Sequence, residues 1–169
     1  MLIAYHHPSQ PLQLDTERYD MVVLGTEHMA AYAKPGPDGH PLYALPGLID
    51  RPLPYLGYAP GAYLGAVTDW MLRQARTPVH LDRVYETDMA EGLKAMALEG
   101  HGLAFLPSSA VGKEVRAGML VPAAGAAAAL PEVALQIRAY RAKPGTKTAI
   151  KRNVQELWTH LESSAPMDA

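Results

Sequence analysis

The chain has 169 residues, 49% of them hydrophobic and 19% charged, and a net charge of −2 at pH 7. That composition belongs to one globular domain or two small lobes with length enough for a core, and it excludes a disordered chain. The near-neutral charge gives no electrostatic case for nucleic-acid or membrane binding by these residues, and the lack of cysteine excludes disulfides, thiolate catalysis and Cys-ligated metals.

Met1-Leu2-Ile3-Ala4-Tyr5 reads as a buried strand at the very start, so the chain is expected to be part of a longer protein. A Pro-punctuated loop follows to Asp20. Met21–Leu24 reads as a strand ended by Gly25, and His28–Ala33 as a second strand. Pro41–Pro54 holds four prolines among apolar residues and is expected to be irregular. Tyr55–Tyr58 is a strand leading through Ala59-Pro60-Gly61 into a helix from Ala62 to about Arg76. Leu64, Val67, Met71 and Ala75 form its inward face. Pro78 breaks this helix, and Val79–Tyr85 alternates as a strand.

The segment YETDMAEGLKAMALEGHGLAFLPSSAVGKEVRAGMLVP, Tyr85–Pro122, carries the clearest punctuation. Thr87 and Asp88 are helix caps, and Asp88 with Glu91 has a capping-box spacing. Met89, Leu93 and Met96 place an apolar stripe on the helix, and Gly100 ends it. Leu103–Leu106 is short and wholly apolar, as expected of a strand covered on both faces. Ser108 and Ser109 cap a helix to Arg116, and Gly118 ends it. Ala123–Ala129 is an Ala/Gly surface linker, and Val133–Tyr140 a strand. The last helix runs from about Thr146 to Leu161, with Ile150, Val154, Leu157, Trp158 and Leu161 on one face. Alternating strands and helices argue for an α/β fold with a parallel or mixed sheet.

Two helix starts stand out as chemistry. Pro60-Gly61-Ala62-Tyr63 and Thr87-Asp88-Met89 present free N–H groups and the positive end of a helix dipole. In a doubly wound sheet ligands sit beyond the carboxyl ends of strands, where such starts lie. Plain capping, with Asp88 serving its own helix, is the competing explanation, and Asp88 would repel an anion. His6-His7 is a poor chelate, since adjacent strand residues point to opposite sides, so no metal is expected. Ser108-Ser109 lacks a nucleophile elbow. No catalytic residue and no cofactor are expected. Arg138, Arg141, Lys143, Lys147, Lys151 and Arg152 read as a solvated basic face.

The order capped helix, buried strand, capped helix, strand in Tyr85–Pro122 resembles the effector-binding domain of LysR-type transcriptional regulators. LPYLGYAPGAYLGAVTDWML and VALQIRAYRAKP extend the resemblance over nearly the whole chain. It implies a periplasmic-binding-protein-like (type II) two-lobed fold with an incomplete first lobe. Residues 1–31 and 136–165 would form that partial lobe, 32–135 the second, and 166–169 a frayed tail. The strand–helix units that open the first lobe in relatives have no counterpart here, which implies an uncovered sheet edge. The family's helix-turn-helix is absent as well, so DNA would be contacted only through a missing N-terminal domain.

The resemblance further implies a cytoplasmic homodimer without membrane contact, binding a small-molecule effector in an interlobe cleft. It places Tyr5, His6, Pro60, Gly61, Tyr63, Thr87, Asp88 and Met89 along that cleft. The loop around Tyr63 and the run ALEGHGLAFLP are most similar to the hypochlorite-responsive members. Eight methionines without a cysteine suit oxidation sensing, with Met89 the candidate; Leu64 stands at the subgroup's other methionine position. The alternative is a stand-alone small-molecule-binding module without DNA binding; an enzyme ranks last.

Overall fold

A computed structural model describes residues 1–12, 14–124, 130–143 and 152–164. The described residues form two compact units, one from Met1–Glu27 and Ala134–Ala169, the other from His28–Val133. One long strand, β2 (Tyr19–Ala33), contributes to both.

The second unit is built on β3 (Leu53–Tyr58), α1 (Tyr63–Arg73), β4 (Leu81–Thr87), α2 (Ala90–Leu98), β5 (Leu103–Pro107) and α3 (Ser108–Arg116). β3 pairs in parallel with β4 on one side and with β5 on the other. The end of β2 lies antiparallel to β5, with Met29 opposite Pro107 and Tyr32 opposite Ala104. The short β6 (Val121–Pro122) adds antiparallel to β2. Parallel crossovers are right-handed almost without exception. A crossover out to β4 and another back past β3 to β5 therefore put α1 and α2 on opposite faces. Tyr55 and Leu56 point to opposite faces of β3, and both are buried.

Burial follows the apolar runs of the second unit. Met1, Leu2 and Ile3, expected in a buried strand, are instead about half exposed, because the strand Leu2–His6 ends the sheet with Val133–Ala142 as its strand partner. Leu103, Ala104, Phe105 and Leu106 are all fully enclosed, as a continuous apolar strand predicts. Val67 and Met71 are the core side of α1. On α2 the core side is Leu93 and Ala97, four residues apart. Lys94 pins α2 to α3: its Nζ lies 2.7 Å from Glu91 and 3.5 Å from Glu114, and donates to the Ala110 carbonyl at 3.0 Å.

The first unit holds β1 (Leu2–His6), the first part of β2, β7 (Val133–Ala142) and α4 (Arg152–Ser164). β1 runs antiparallel to β7, from Leu2 opposite Tyr140 to His6 opposite Gln136. Trp158 is the buried anchor of α4. The Arg141 guanidinium lies 4.5 Å from its ring centre and donates to Asp20 at 3.0 Å and Gln155 at 3.1 Å.

Several expectations change. The two strands around Gly25 are one strand. Gly25 lies outside the left-handed region, so pairing on either side carries the strand straight through it. α1 ends at Arg73, before Pro78 acts, and β4 begins at Leu81 and runs on to Thr87. β3 starts at Leu53 and includes Pro54, whose missing N–H precedes the first pair with β5, Tyr55 opposite Leu103. Asp88 does not cap α2; Met89 occupies the cap position, with no side-chain cap. Likewise Pro107 occupies the cap position of α3 with no side-chain cap, and the Ser108 hydroxyl donates to the His28 carbonyl at 3.0 Å. Ala123, expected in a surface linker, is buried, its N–H bonded to the Ala31 carbonyl at 2.8 Å.

The basic face is not simply solvated. Arg141 is clamped as above, and Lys143 donates to the Thr16 carbonyl at 2.8 Å. Residues 125–129 of the expected linker, residues 146–151 at the expected start of the last helix (with Lys147, Ile150 and Lys151) and the tail 166–169 lie outside the described residues. The glycine ends are as expected: Gly100 and Gly118 have φ of 85° and 68°.

Two glycines on strands or their edges make opposite predictions. A methyl at Gly102 would stand 2.7 Å from the Pro54 carbonyl oxygen, while one at Gly25 would meet nothing within 4 Å. Gly102→Ala is expected to lower the unfolding free energy by about 1–3 kcal/mol. Gly25→Ala should stay within about 0.5 kcal/mol. Urea midpoints at constant m-value read both; equal losses would contradict the packing described.

Candidate functional site

The two helix starts singled out in the sequence come together at one end of β3 and β4. Tyr58 and Thr87 are register partners on the adjacent parallel strands. The next residue, Ala59, donates its N–H to the Thr87 carbonyl at 2.9 Å. From there the chain leaves β3 through Pro60-Gly61 toward α1, and leaves β4 through Asp88-Met89 toward α2. The two helices go to opposite faces, so the loops diverge. Such divergence opens a crevice beyond the carboxyl ends of the strands, the topological switch point.

Each wall has a local cause. Gly61 has φ of 86°, a conformation a side chain rarely adopts. It turns Ala59-Pro60 away from the strand so that Ala62 can cap α1 in extended geometry. Tyr63 is half-buried in the first turn of α1. On the other wall, the Thr87 hydroxyl accepts the Met89 N–H at 3.4 Å. Gly92, one turn into α2, leaves room for the Thr87 methyl, 3.2 Å from where its Cβ would be. Asp88 is exposed, and Met89 is 62% exposed at the cap position.

A cavity of about 200 Å³ continues from Pro60 and Gly61 along α1. Ala62, Gly65, Ala66 and Asp69 line it from one face of the helix, at helical spacing. Arg83 of β4 closes the other side. Asp69 and Arg83 were not among the residues expected from the sequence. Burial pushes the neighbouring Tyr55 hydroxyl up to about 12; Arg83 works against that rise and Asp69 with it. Tyr55 therefore stays a neutral phenol beside Arg83.

Tyr5 and His6 stand in the first unit, at the end of β1, opposite Ile137 and Gln136 of β7. Burial holds His6 below the usual histidine range, and the charges of Arg138 and His7 add to the effect. Its Nδ1 is buried with no hydrogen-bond partner among the described residues. His7 is also lowered, by burial. Its Nδ1 accepts the Ser9 N–H at 3.2 Å and lies 2.6 Å from the Ser9 hydroxyl. That nitrogen is an acceptor, so the ring is neutral with its proton on Nε2.

These shifts make stability depend on pH. A histidine lowered below 6.5 is protonated first in the unfolded chain. Its contribution to stability is complete above the unfolded range and declines as pH falls through 6.5 toward the folded values. The urea midpoint should therefore fall between pH 7.5 and 5.5, and fall less in a His6→Gln/His7→Gln variant. An identical pH slope in both proteins would refute this assignment.

A model of the LysR substrate binding domain matches residues 3–162. The HTH domain-truncated transcriptional regulator QseD of Escherichia coli O157:H7 is 33% identical over 78 residues, 46% of this chain and 32% of that protein. The apo regulatory domain of HypT from Salmonella typhimurium superposes with a TM-score of 0.75 at 22% identity, covering 95% of this chain and 70% of that one. Full-length HypT, described as a hypochlorite-specific LysR-type transcriptional regulator, gives a TM-score of 0.76 at the same identity, covering 95% and 50%. The chain spans between a quarter and a third of the length of the curated relatives it matches. The mixed sheet with helices on both sides is thus the periplasmic-binding-protein-like type II fold. Matched over all but its two ends, and built around a crevice at a strand switch point, the chain belongs to the LysR substrate binding domain family.

Proposed function

We propose that this chain is the effector-sensing part of a LysR-type, DNA-binding transcription regulator, a cytoplasmic homodimer whose DNA contacts lie outside these residues. The carrying observation is the crevice where Pro60-Gly61 and Asp88-Met89 diverge from adjacent strands. Its walls are backbone N–H groups, small residues and Tyr63, which can hold and orient a small molecule. The relatives this chain matches are transcriptional regulators, which supports a sensor over an enzyme. Binding acts by population shift: the effector must favour one arrangement of the regulator by its differential affinity. Residues 1–31 with 136–165 and residues 32–135 are the two regulatory subdomains in this reading.

A thermal-shift screen of small metabolites on the purified chain tests it. A compound at 100 times its Kd adds about 2.7 kcal/mol, a Tm rise of roughly 5–10 °C for a chain of this size. Pro60→Glu, on an exposed wall residue, should abolish the rise and leave the Tm of the free protein in place. A rise that survives Pro60→Glu would move the site elsewhere.

The exposure of Met89 supports a second reading, in which the signal is an oxidant. Hypochlorous acid delivers its oxygen to a thioether sulfur, giving the sulfoxide and releasing chloride and a proton; the polar sulfoxide would alter the start of α2. Mass spectrometry after substoichiometric hypochlorite should show Met89 oxidised ahead of the half-buried Met96. If Met89 stays reduced while the other exposed methionines among the described residues, Met1, Met21 and Met119, react, the oxidant reading is wrong.

A further inference from the structure

The groove beside α1 is set up by a register shift. Tyr55 pairs with Arg83, but the next residue, Leu56, pairs with Tyr85, so Val84 is an extra residue on β4. Without it, Arg83 and Glu86 would point to opposite faces of the strand. With it, Arg83 and Glu86 stand opposite Tyr55 and Gly57, two residues that share one face. Bulges of this kind re-aim a side chain at sheet edges and beside sites. Here the result is a fixed guanidinium. Its carbon lies 5.5 Å from the Tyr55 ring centre, and Nη1 donates to Glu86 at 3.0 Å and to the Tyr58 carbonyl at 3.4 Å. Gly57 makes the space: a Cβ there would be 2.8 Å from Arg83 Nε.

The held cation faces a cavity and not a packed interior. Asp69 lines the same cavity as Arg83, together with the small residues Ala62, Gly65 and Ala66. At about 200 Å³ the space is below the ~300–1,000 Å³ of drug-sized pockets. The exposed pair of Arg83 with Glu86, with side chains 41% and 42% accessible, is worth only about 0–1 kcal/mol. Sharing the guanidinium with a second carboxylate therefore costs little.

The geometry points to Arg83 and Asp69 as paired anchors for a compact zwitterion, an α-amino acid with a small side chain. Its carboxylate meets the Arg83 guanidinium, its ammonium meets Asp69, and its side chain lies against the small residues. This deepens the effector-binding reading and rests on it. Arg83 acts as a planar fork, which lysine does not reproduce.

Isothermal titration of the purified chain with L-alanine, glycine, the remaining proteinogenic amino acids, acetate and ethylammonium is the test. A small amino acid is expected to bind, with acetate and ethylammonium weaker by about tenfold or more. Arg83→Lys, which keeps the charge and stem, and Asp69→Asn should each weaken binding by about tenfold or more. No binding by any amino acid, or binding unchanged in Arg83→Lys, overturns the proposal. Metabolite hits that need Pro60 but ignore Arg83 sink the zwitterion groove and leave the effector reading standing. An absence of any metabolite hit removes both.

Discussion

Parallel pairing of β3 with both β4 and β5 is the constraint on which the second unit depends. A parallel strand cannot be reached by a tight turn, so each pairing demands a crossover helix. Because one crossover leads outward and the next leads back across β3, their common right hand sends α1 and α2 to opposite faces. β3 is then covered on both sides, which explains the burial of Tyr55 and Leu56 together. The same reversal parts the loops after Tyr58 and Thr87. Core and crevice are two consequences of one strand order.

Packing around that order leaves little freedom where strands and helices meet. Gly102 runs against the Pro54 carbonyl, and Gly65 against the Tyr58 Cβ, 2.9 Å from where its own would be. The second of these approaches holds the start of α1 close against the end of β3. Lys94 ties α2 to α3 through Glu114 and the Ala110 carbonyl, so the Met89 end of α2 is carried by a braced pair of helices. In the first unit the corresponding brace is Arg141, stacked on Trp158 and paired with Asp20. A cation in a basic stretch thereby becomes part of a core.

Much of this was legible along the chain. The fully apolar run Leu103–Leu106 announced a strand buried on both faces. Gly100 and Gly118 marked helix ends because only glycine enters the left-handed region without strain. The helix starts at Pro60-Gly61 and Thr87-Met89 were visible as sequence. Local signals failed where pairing outweighed them. Gly25 reads as a breaker, yet it lies inside a fifteen-residue strand, since a glycine with partners on its neighbours can remain extended. Asp88 and Ser108 have capping side chains, but both helices begin with extended cap residues that make no side-chain cap bond, and Ser108 finds an acceptor in the His28 carbonyl.

The sequence by itself determined the alternation of strands and helices in the second unit, the buried strand Leu103–Leu106 and the helix stops at Gly100 and Gly118, because periodicity and backbone freedom act over a few residues. It also determined the family resemblance, carried by Tyr85–Pro122. Only the tertiary structure decided that Arg83 and Asp69 face one groove. That juxtaposition depends on a one-residue shift between β3 and β4 and on the missing side chain of Gly57. The residues concerned are far apart in the chain or lie on opposite faces of an ideal strand. No local pattern encodes such a meeting, because register is settled by the summed packing of both strands and not by either one alone.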